Sequence, residues 1–172
     1  MITRDPVPVK IQKFISFLLV IFLPLLITFQ VILRYVFVAP LMGVEELMMF
    51  PIIWLYFLGG ANASYERNHI ECGILILYMK TPRAYNRFRL LRSIISVLIS
   101  IWMTYWAFWL FVYSIQTFKY SDLLSIPMII GESALFIGLV LMTVYTLFET
   151  KDYFKLVLNE KEGEGHVDNR SA

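Results

Sequence analysis

Four polar residues near the end of the first long apolar segment could form a recognition site. Gln30 and Arg34 are one helical turn apart, so their amide and guanidinium groups share one face of a helix. Glu45 and Glu46 follow after a short connection that contains proline and glycine. One interpretation is an ion pair between Arg34 and a glutamate, with both glutamates complementing the dipole of the helix that they begin. The other is contact with a partner protein, and the residues alone leave both open.

Residues that could support catalysis or metal binding are few. His69 and His166 are far apart in the sequence, and neither has a second ligand at the spacing of a metal site. The single cysteine, Cys72, cannot form an intrachain disulfide or a redox pair. No nucleophile can be matched with a base, so the sequence predicts a protein that is not an enzyme. The polar segment 66–71 around His69 is interpreted as a solvated helix end or as a pH sensor.

The composition indicates which elements carry these residues. Of the 172 residues 59% are apolar, and the 15 basic and 13 acidic residues leave uncharged runs of 16 to 26 residues. A helix needs about 20 apolar residues to cross the hydrocarbon core of a bilayer. We therefore predict an all-α integral membrane protein with four helices, and a net charge of only +2 argues against a nucleic-acid partner. The predicted spans cover residues 14–37, 47–65, 93–118 and 127–148.

The distribution of basic residues predicts the orientation. Thirteen of the 15 lysines and arginines lie before the first span, between the second and third spans, or after the fourth, and Arg34 and Lys119 lie elsewhere. Basic flanks resist translocation, so both termini and the central loop are predicted to be cytoplasmic. Residues 1–158 form one membrane domain in this interpretation. Residues 159–172 are polar without hydrophobic periodicity, which predicts a disordered cytoplasmic tail.

The central loop contains a predicted amphipathic helix that lies in the plane of the membrane. Thr81 and Pro82 are typical of a helix start, and Tyr85, Phe88 and Leu91 then recur at three-residue steps. This apolar stripe would face lipid, while the basic side chains would contact lipid headgroups. The predicted headgroup contacts are Lys80, Arg83, Arg87, Arg89 and Arg92.

Small residues four positions apart indicate where helices approach each other closely. Such pairs remove side-chain bulk from one face of a membrane helix. We favour packing between helices of this chain, with a subunit interface as the alternative. The residues are Gly59 with Ala63, Gly60 with Ser64, and Ala134 with Gly138.

A row of large aromatic side chains follows one side of the third span. Trp102, Trp106 and Trp109 are spaced by four and three residues, and Trp106 is expected near the middle of the membrane. Tryptophan is common at the membrane surface, but that preference does not explain one at mid-depth. The row would face either lipid or a groove on another membrane protein, and we leave this choice open.

The middles of the four spans contain no aspartate, glutamate, lysine, arginine or histidine. Transporters bind substrate and coupling ions through such groups near the bilayer midplane, so this chain is poorly equipped to transport by itself. An alternative is a self-sufficient tetraspan, either a homo-oligomeric transporter or a membrane enzyme. It would have to rely on Gln30, Asn62 and Thr104, which are few and lie mostly toward span ends.

The first two spans also carry a characteristic order of residues: Arg34-Tyr35-Val36-Phe37, Pro40, Glu45-Glu46-Leu47, Trp54, Phe57-Leu58-Gly59-Gly60-Ala61 and Arg67-Asn68-His69-Ile70. This order resembles that of the small membrane subunit of tripartite ATP-independent periplasmic (TRAP) transporters. The resemblance is dense over residues 30–71. Beyond them, the number of spans, the length and Ile126-Pro127 before the fourth span agree.

The resemblance implies a multi-pass scaffold subunit of the bacterial inner membrane. Its partners would be membrane lipids, a large membrane subunit encoded as a separate chain, and a periplasmic binding protein. The large subunit would hold the sodium, so this chain would have no cofactor, and transport would be an elevator-type symport of an anionic organic acid such as a dicarboxylate, another carboxylate or sialic acid. By analogy, Arg34, Glu45 and Glu46 would align the partners, and the small residues and the tryptophan row would pack helices.

Overall fold

The computed structural model describes residues 6–37, 42–66 and 82–168, and nearly all of them are helical. The helices are α1 (Val7–Tyr35), α2 (Met42–Glu66), α3 (Pro82–Thr117) and α4 (Ile129–Asp168). Each contains a segment long and apolar enough to cross a membrane. The prediction of an all-α protein with four membrane helices is therefore confirmed.

The third helix is longer than the predicted span. α3 runs from Pro82 to Thr117 without a break, so the predicted in-plane helix and the third span form one continuous helix. No proline or glycine occurs between Arg83 and Thr117 that would interrupt it. The orientation of residues 82–92 relative to the membrane plane stays a prediction, as does the location of both termini.

The fourth helix extends beyond the predicted membrane domain. Its backbone stays helical to Asp168, ten residues past the expected boundary at 158. The segment from 159 to 168 contains three glutamates, which favour a helix, and two glycines, which disfavour it. The disordered tail expected over residues 159–172 stays a prediction, and residues 169–172 lie outside the described part.

The helices are arranged in the order α1, α2, α4, α3. α4 packs against both α2 and α3, and α1 packs against α2. Few apolar side chains in the described ranges are buried, among them Leu23, Leu58 and Ala107. Most large apolar side chains of α1 and α3 are exposed. This arrangement leaves wide apolar faces that only lipid or another membrane protein can cover.

The seam between α3 and α4 contains a row of small and hydroxyl side chains, and beside this row Phe136 of α4 packs against Phe108 and Phe111 of α3. Ser93, Ser100, Ala107 and Ser114 recur every seven residues on α3, which places them on one face. Three of them are buried, with Ser100 half-buried. The hydroxyls of Thr104 and Thr143 lie 2.9 Å apart across this seam, and those of Ser93 and Thr150 also form a hydrogen bond. Small side chains allow the two helices to approach closely.

Candidate functional site

The end of the helices that is predicted to face the periplasm, here called the outer end, contains the polar residues of the sequence analysis. Gln30 Nε2 donates a hydrogen bond of 3.0 Å to Glu45 Oε1. Arg34 Nη1 lies 3.8 Å from the same oxygen. The carboxylate of Glu45 therefore connects α2 to α1. This pairing is the first interpretation of these residues, and it selects Glu45 rather than Glu46 as the partner of Arg34.

The pairing leaves both charged groups accessible. The side chain of Arg34 is 59% exposed and that of Glu45 is 61% exposed. An exposed ion pair at this distance contributes little to stability, because water screens both charges. Both groups can thus contact a partner protein without breaking a strong intrachain bond. The partner contact predicted for Arg34, Glu45 and Glu46 stays a prediction.

Glu46 connects α2 to the loop between α3 and α4. The backbone N–H groups of Leu123 and Leu124 donate hydrogen bonds of 3.2 and 2.9 Å to Glu46 Oε2. Successive residues of a helix point about 100° apart, so the two neighbouring glutamates reach different elements. Together they join α1, α2 and the loop at the outer end.

The loop that Glu46 contacts, residues 118–128, is itself well ordered by backbone hydrogen bonds. Ser121 N donates to Ile126 O at 2.9 Å, and Met128 N donates to Lys119 O at 2.9 Å. Phe118 and Ser125 adopt positive φ angles of 43° and 52°, where side chains other than glycine are strained. The loop tolerates this strain because hydrogen bonds to Glu46 of α2 and within its own backbone stabilise its conformation.

The predicted small residues lie mainly between α2 and α4. A Cβ atom added to Gly138 would stand 2.5 Å from Phe57 Cβ, and one added to Gly60 would stand 2.1 Å from Met142 Cε. Ala134 and Ser64 are buried, and Ala63 is half-buried. Gly59 differs from the others, since no atom lies within 4 Å of a Cβ added there. Gly59 therefore faces away from the helices of this chain in the part that the structure describes.

The tryptophan row lies on the surface of α3. Trp102, Trp106 and Trp109 are 64%, 58% and 55% exposed. The small residues of the α3–α4 seam occupy another face of the helix, so in the described part of the chain the row is directed away from α4. The two interpretations, contact with lipid and contact with another protein, both stay open.

A buried polar network at the opposite end of the helices was not predicted. Gln12, only 4% exposed, donates from Nε2 to Asn62 Oδ1 at 2.8 Å and accepts at Oε1 from the hydroxyl of Tyr145 at 2.9 Å. Asn62 Nδ2 donates to Ser16 Oγ at 3.0 Å, and Ser16 Oγ donates to the Gln12 carbonyl at 3.0 Å. The network joins α1, α2 and α4, and nearby Lys13 and Glu66 form an ion pair of 2.9 Å.

The predicted headgroup contacts are only partly described. Arg89 lies against the rings of Tyr85 and Tyr153, with its guanidinium carbon 4.8 and 5.3 Å from the ring centroids. Arg87 is exposed and Arg92 is half-buried. Lys80 and residues 67–71 of the polar segment around His69 lie outside the described residues, as does the Arg83 side chain. Headgroup binding by these residues stays a prediction.

Metal ligands do not cluster in the described ranges, where no group of three or more histidine, cysteine, aspartate or glutamate side chains could hold a metal ion. The polar groups at both ends connect helices to one another. These polar contacts can therefore hold the helices in a defined arrangement and leave their exposed faces available for contact with lipid or protein.

Comparison with known proteins identifies one family. Residues 23–154 match the family described as tripartite ATP-independent periplasmic transporters, DctQ component. The matched region begins within α1, contains α2 and α3, and ends within α4. A search of curated proteins gives no match.

Proposed function

We propose a specific role for the chain within its transporter, on the premise that it belongs to the family of DctQ components of tripartite ATP-independent periplasmic transporters. It is accordingly a small membrane subunit of such a transporter, a multi-pass protein of the bacterial inner membrane and not an enzyme. Its proposed role is that of a scaffold, which binds a separate large membrane subunit and contributes to docking of a periplasmic binding protein.

The proposal extends to the mechanism of the complex. The large subunit would bind sodium and the substrate and would move them by an elevator-type symport. The substrate would be an anionic organic acid, such as a dicarboxylate, another carboxylate or sialic acid, delivered by the binding protein. The sequence of this chain supports such a division, since the middles of its spans carry no carboxylate, basic side chain or histidine to bind either.

The arrangement of the helices is the observation that best supports the scaffold role. α3 packs against α4 on one side and exposes the tryptophan row on the other. α1 packs against α2, and only 6% of its most apolar segment is buried. Aromatic side chains supply large contact areas in protein interfaces. We propose that the large subunit covers the tryptophan row and that lipid covers much of α1.

The outer end supports a role in aligning the partners. Arg34 and Glu45 are exposed and weakly paired, and Glu46 fixes the neighbouring loop 118–128. A rigid loop and accessible charges of both signs are suited to a transient docking site, because charged rims guide association and set its orientation. We propose that the binding protein or the outer part of the large subunit contacts this surface.

Sodium-dependent uptake by reconstituted liposomes tests the proposed function. Three preparations are compared in the presence of the binding protein: this chain alone, the large subunit alone, and both together. Uptake that requires both chains is expected. Uptake by this chain alone would refute the scaffold role and favour a self-sufficient tetraspan, and full uptake by the large subunit alone would show that the chain is dispensable.

The variant Arg34→Ala tests the alignment role of the outer end. We expect it to lower uptake several-fold while membrane insertion and copurification with the large subunit stay normal, because the exposed Arg34 pair contributes little to folding. Lys10→Ala is the matched control, since it removes an exposed basic residue at the opposite end of α1, away from the proposed docking surface. Wild-type uptake by the Arg34 variant at normal expression would contradict the assignment.

A further inference from the structure

A cavity between α2 and α4 is acidic near the outer end and apolar further along the helices. Its volume is about 230 Å³. Two carboxylates, Glu46 and Glu132, line it near the outer ends of their helices, and apolar side chains line the rest, including Phe50, Phe57 and Leu135. Met49 and Met128 also contribute and are exposed, so the cavity opens to the surface.

The carboxylate of Glu132 is incompletely satisfied. Glu132 lies in the first turn of α4, and its Oε2 atom is buried without a hydrogen-bond partner in the described part of the chain. A buried carboxylate oxygen without a donor is costly, because it has lost its hydration. Glu46, in contrast, accepts hydrogen bonds from the loop. Because Glu132 also lines the cavity, a ligand that carries a positively charged donor could pair with its carboxylate there.

The dimensions of the cavity match one half of a bilayer. The lining residues of α2 run from Glu46 to Phe57, eleven residues further along the helix, which corresponds to about 16 Å at the helical rise. One leaflet contributes about 15 Å of the hydrocarbon core. Acidic groups toward the membrane surface and apolar side chains toward its middle match a lipid whose headgroup ends in a cationic group.

We propose that this α2–α4 cavity binds a phospholipid of the outer leaflet with a primary ammonium headgroup. The ammonium group donates to the carboxylate of Glu132, and part of one acyl chain lies against Phe50, Ile53 and Phe57. A primary ammonium group carries three donors and a positive charge, which a carboxylate pairs well. Lipids with a net negative headgroup are disfavoured, since two carboxylates line the site.

Lipid retention by the purified complex tests this proposal. The complex with the large subunit is washed in detergent, supplied with phosphatidylethanolamine or phosphatidylglycerol, and analysed by native mass spectrometry. We expect phosphatidylethanolamine to be retained preferentially. Glu132→Gln should reduce its affinity roughly tenfold, which corresponds to about 1.4 kcal/mol. Asp122→Asn is the matched control, because this exposed carboxylate lies at the same end but does not line the cavity.

A second pair of variants tests the acyl-chain path without changing charge. A Cβ atom at Gly131 would lie 3.5 Å from Phe50 Cδ1, an ordinary contact, so Gly131→Ala should retain the lipid. Gly131→Leu would fill the cavity and should displace it. If no large subunit copurifies with this chain, the lipid measurements are made on the chain alone. Absence of the large subunit would then count against the proposed function, while the lipid measurements would still test this inference.

Three outcomes would overturn the proposal. The first is equal retention of the two lipids by the wild-type complex. The second is unchanged phosphatidylethanolamine retention in both Glu132→Gln and Gly131→Leu. The third is a crosslink from a cysteine placed at Met49 to a residue of the large subunit, which would show that a protein side chain occupies the cavity.

Discussion

Replacing Gly138 by alanine should separate α2 from α4. The added Cβ would stand 2.5 Å from Phe57 Cβ and 3.3 Å from the carbonyl carbon of Phe57. Carbon atoms in contact are normally about 3.5 Å or more apart, so the helices would have to move by about 1 Å. Rotation of the Phe57 ring cannot relieve the clash, because the backbone is part of it. Overpacking of this kind costs about 1 to 3 kcal/mol.

Two other glycines provide matched controls for the same substitution. Gly59→Ala meets nothing within 4 Å, so it should leave stability unchanged or raise it by up to about 1 kcal/mol through helix propensity. Gly60→Ala meets only the end of the Met142 side chain, which can rotate away. The predicted order of stability is therefore Gly59→Ala, then Gly60→Ala, then Gly138→Ala. The free energies of unfolding of Gly59→Ala and Gly138→Ala should differ by about 1 to 3 kcal/mol.

Unfolding of the three variants in mixed detergent micelles, followed by circular dichroism, measures this order. The measurement is repeated on the complex with the large subunit, where it also tests whether Gly59 contacts that subunit. If Gly59→Ala is neutral in the chain but weakens the complex, Gly59 lies at the subunit interface. Equal stability of Gly138→Ala and Gly59→Ala would refute the close approach of α2 and α4 at Phe57.

Three further predictions concern single side chains. Glu46→Ala should let the amides of Leu123 and Leu124 exchange with deuterium several times faster, since both donate to Glu46; unchanged exchange would show that the loop is stable without Glu46. Gln12→Leu should destabilise the chain by about 1 to 3 kcal/mol in detergent unfolding, because the partners of Gln12 lose their hydrogen bonds. A bromine-labelled acyl chain should quench the fluorescence of Trp106 less in the complex than in the chain alone, and equal quenching would contradict its cover by the large subunit.

Local features of the sequence predicted the helices and gave an ion pair between Arg34 and a neighbouring glutamate as one of two interpretations. Uncharged runs of sufficient length have few alternatives to a membrane helix, because backbone groups in hydrocarbon must be hydrogen-bonded internally. Arg34 and Glu45 lie at the ends of consecutive helices, and a short connection between them restricts where these ends can go. Proximity along the chain therefore predicted proximity in space.

Contacts between distant residues could not be predicted in this way. Gln12 and Tyr145 are 133 positions apart, and Glu46 reaches a loop 77 positions away. Helical periodicity indicates which residues share a face, but it does not say which helices meet. Gln12 also lies among basic residues that indicated a solvated flank. The repeat of small residues every seven positions on α3 could have predicted a helix-packing face, and this face forms the seam with α4.

The position of α1 illustrates how polar contacts determine the arrangement of membrane helices. Apolar side chains pack against lipid about as well as against each other, so burial alone gives little reason for α1 to stay beside α2. Its polar contacts lie at the two ends, with Gln12 bonded to Asn62 and Gln30 bonded to Glu45. Two separated attachments fix both the position and the rotation of a helix while leaving its apolar surface uncovered. A subunit built in this way keeps a defined shape and still offers wide faces to the lipid and to the larger subunit.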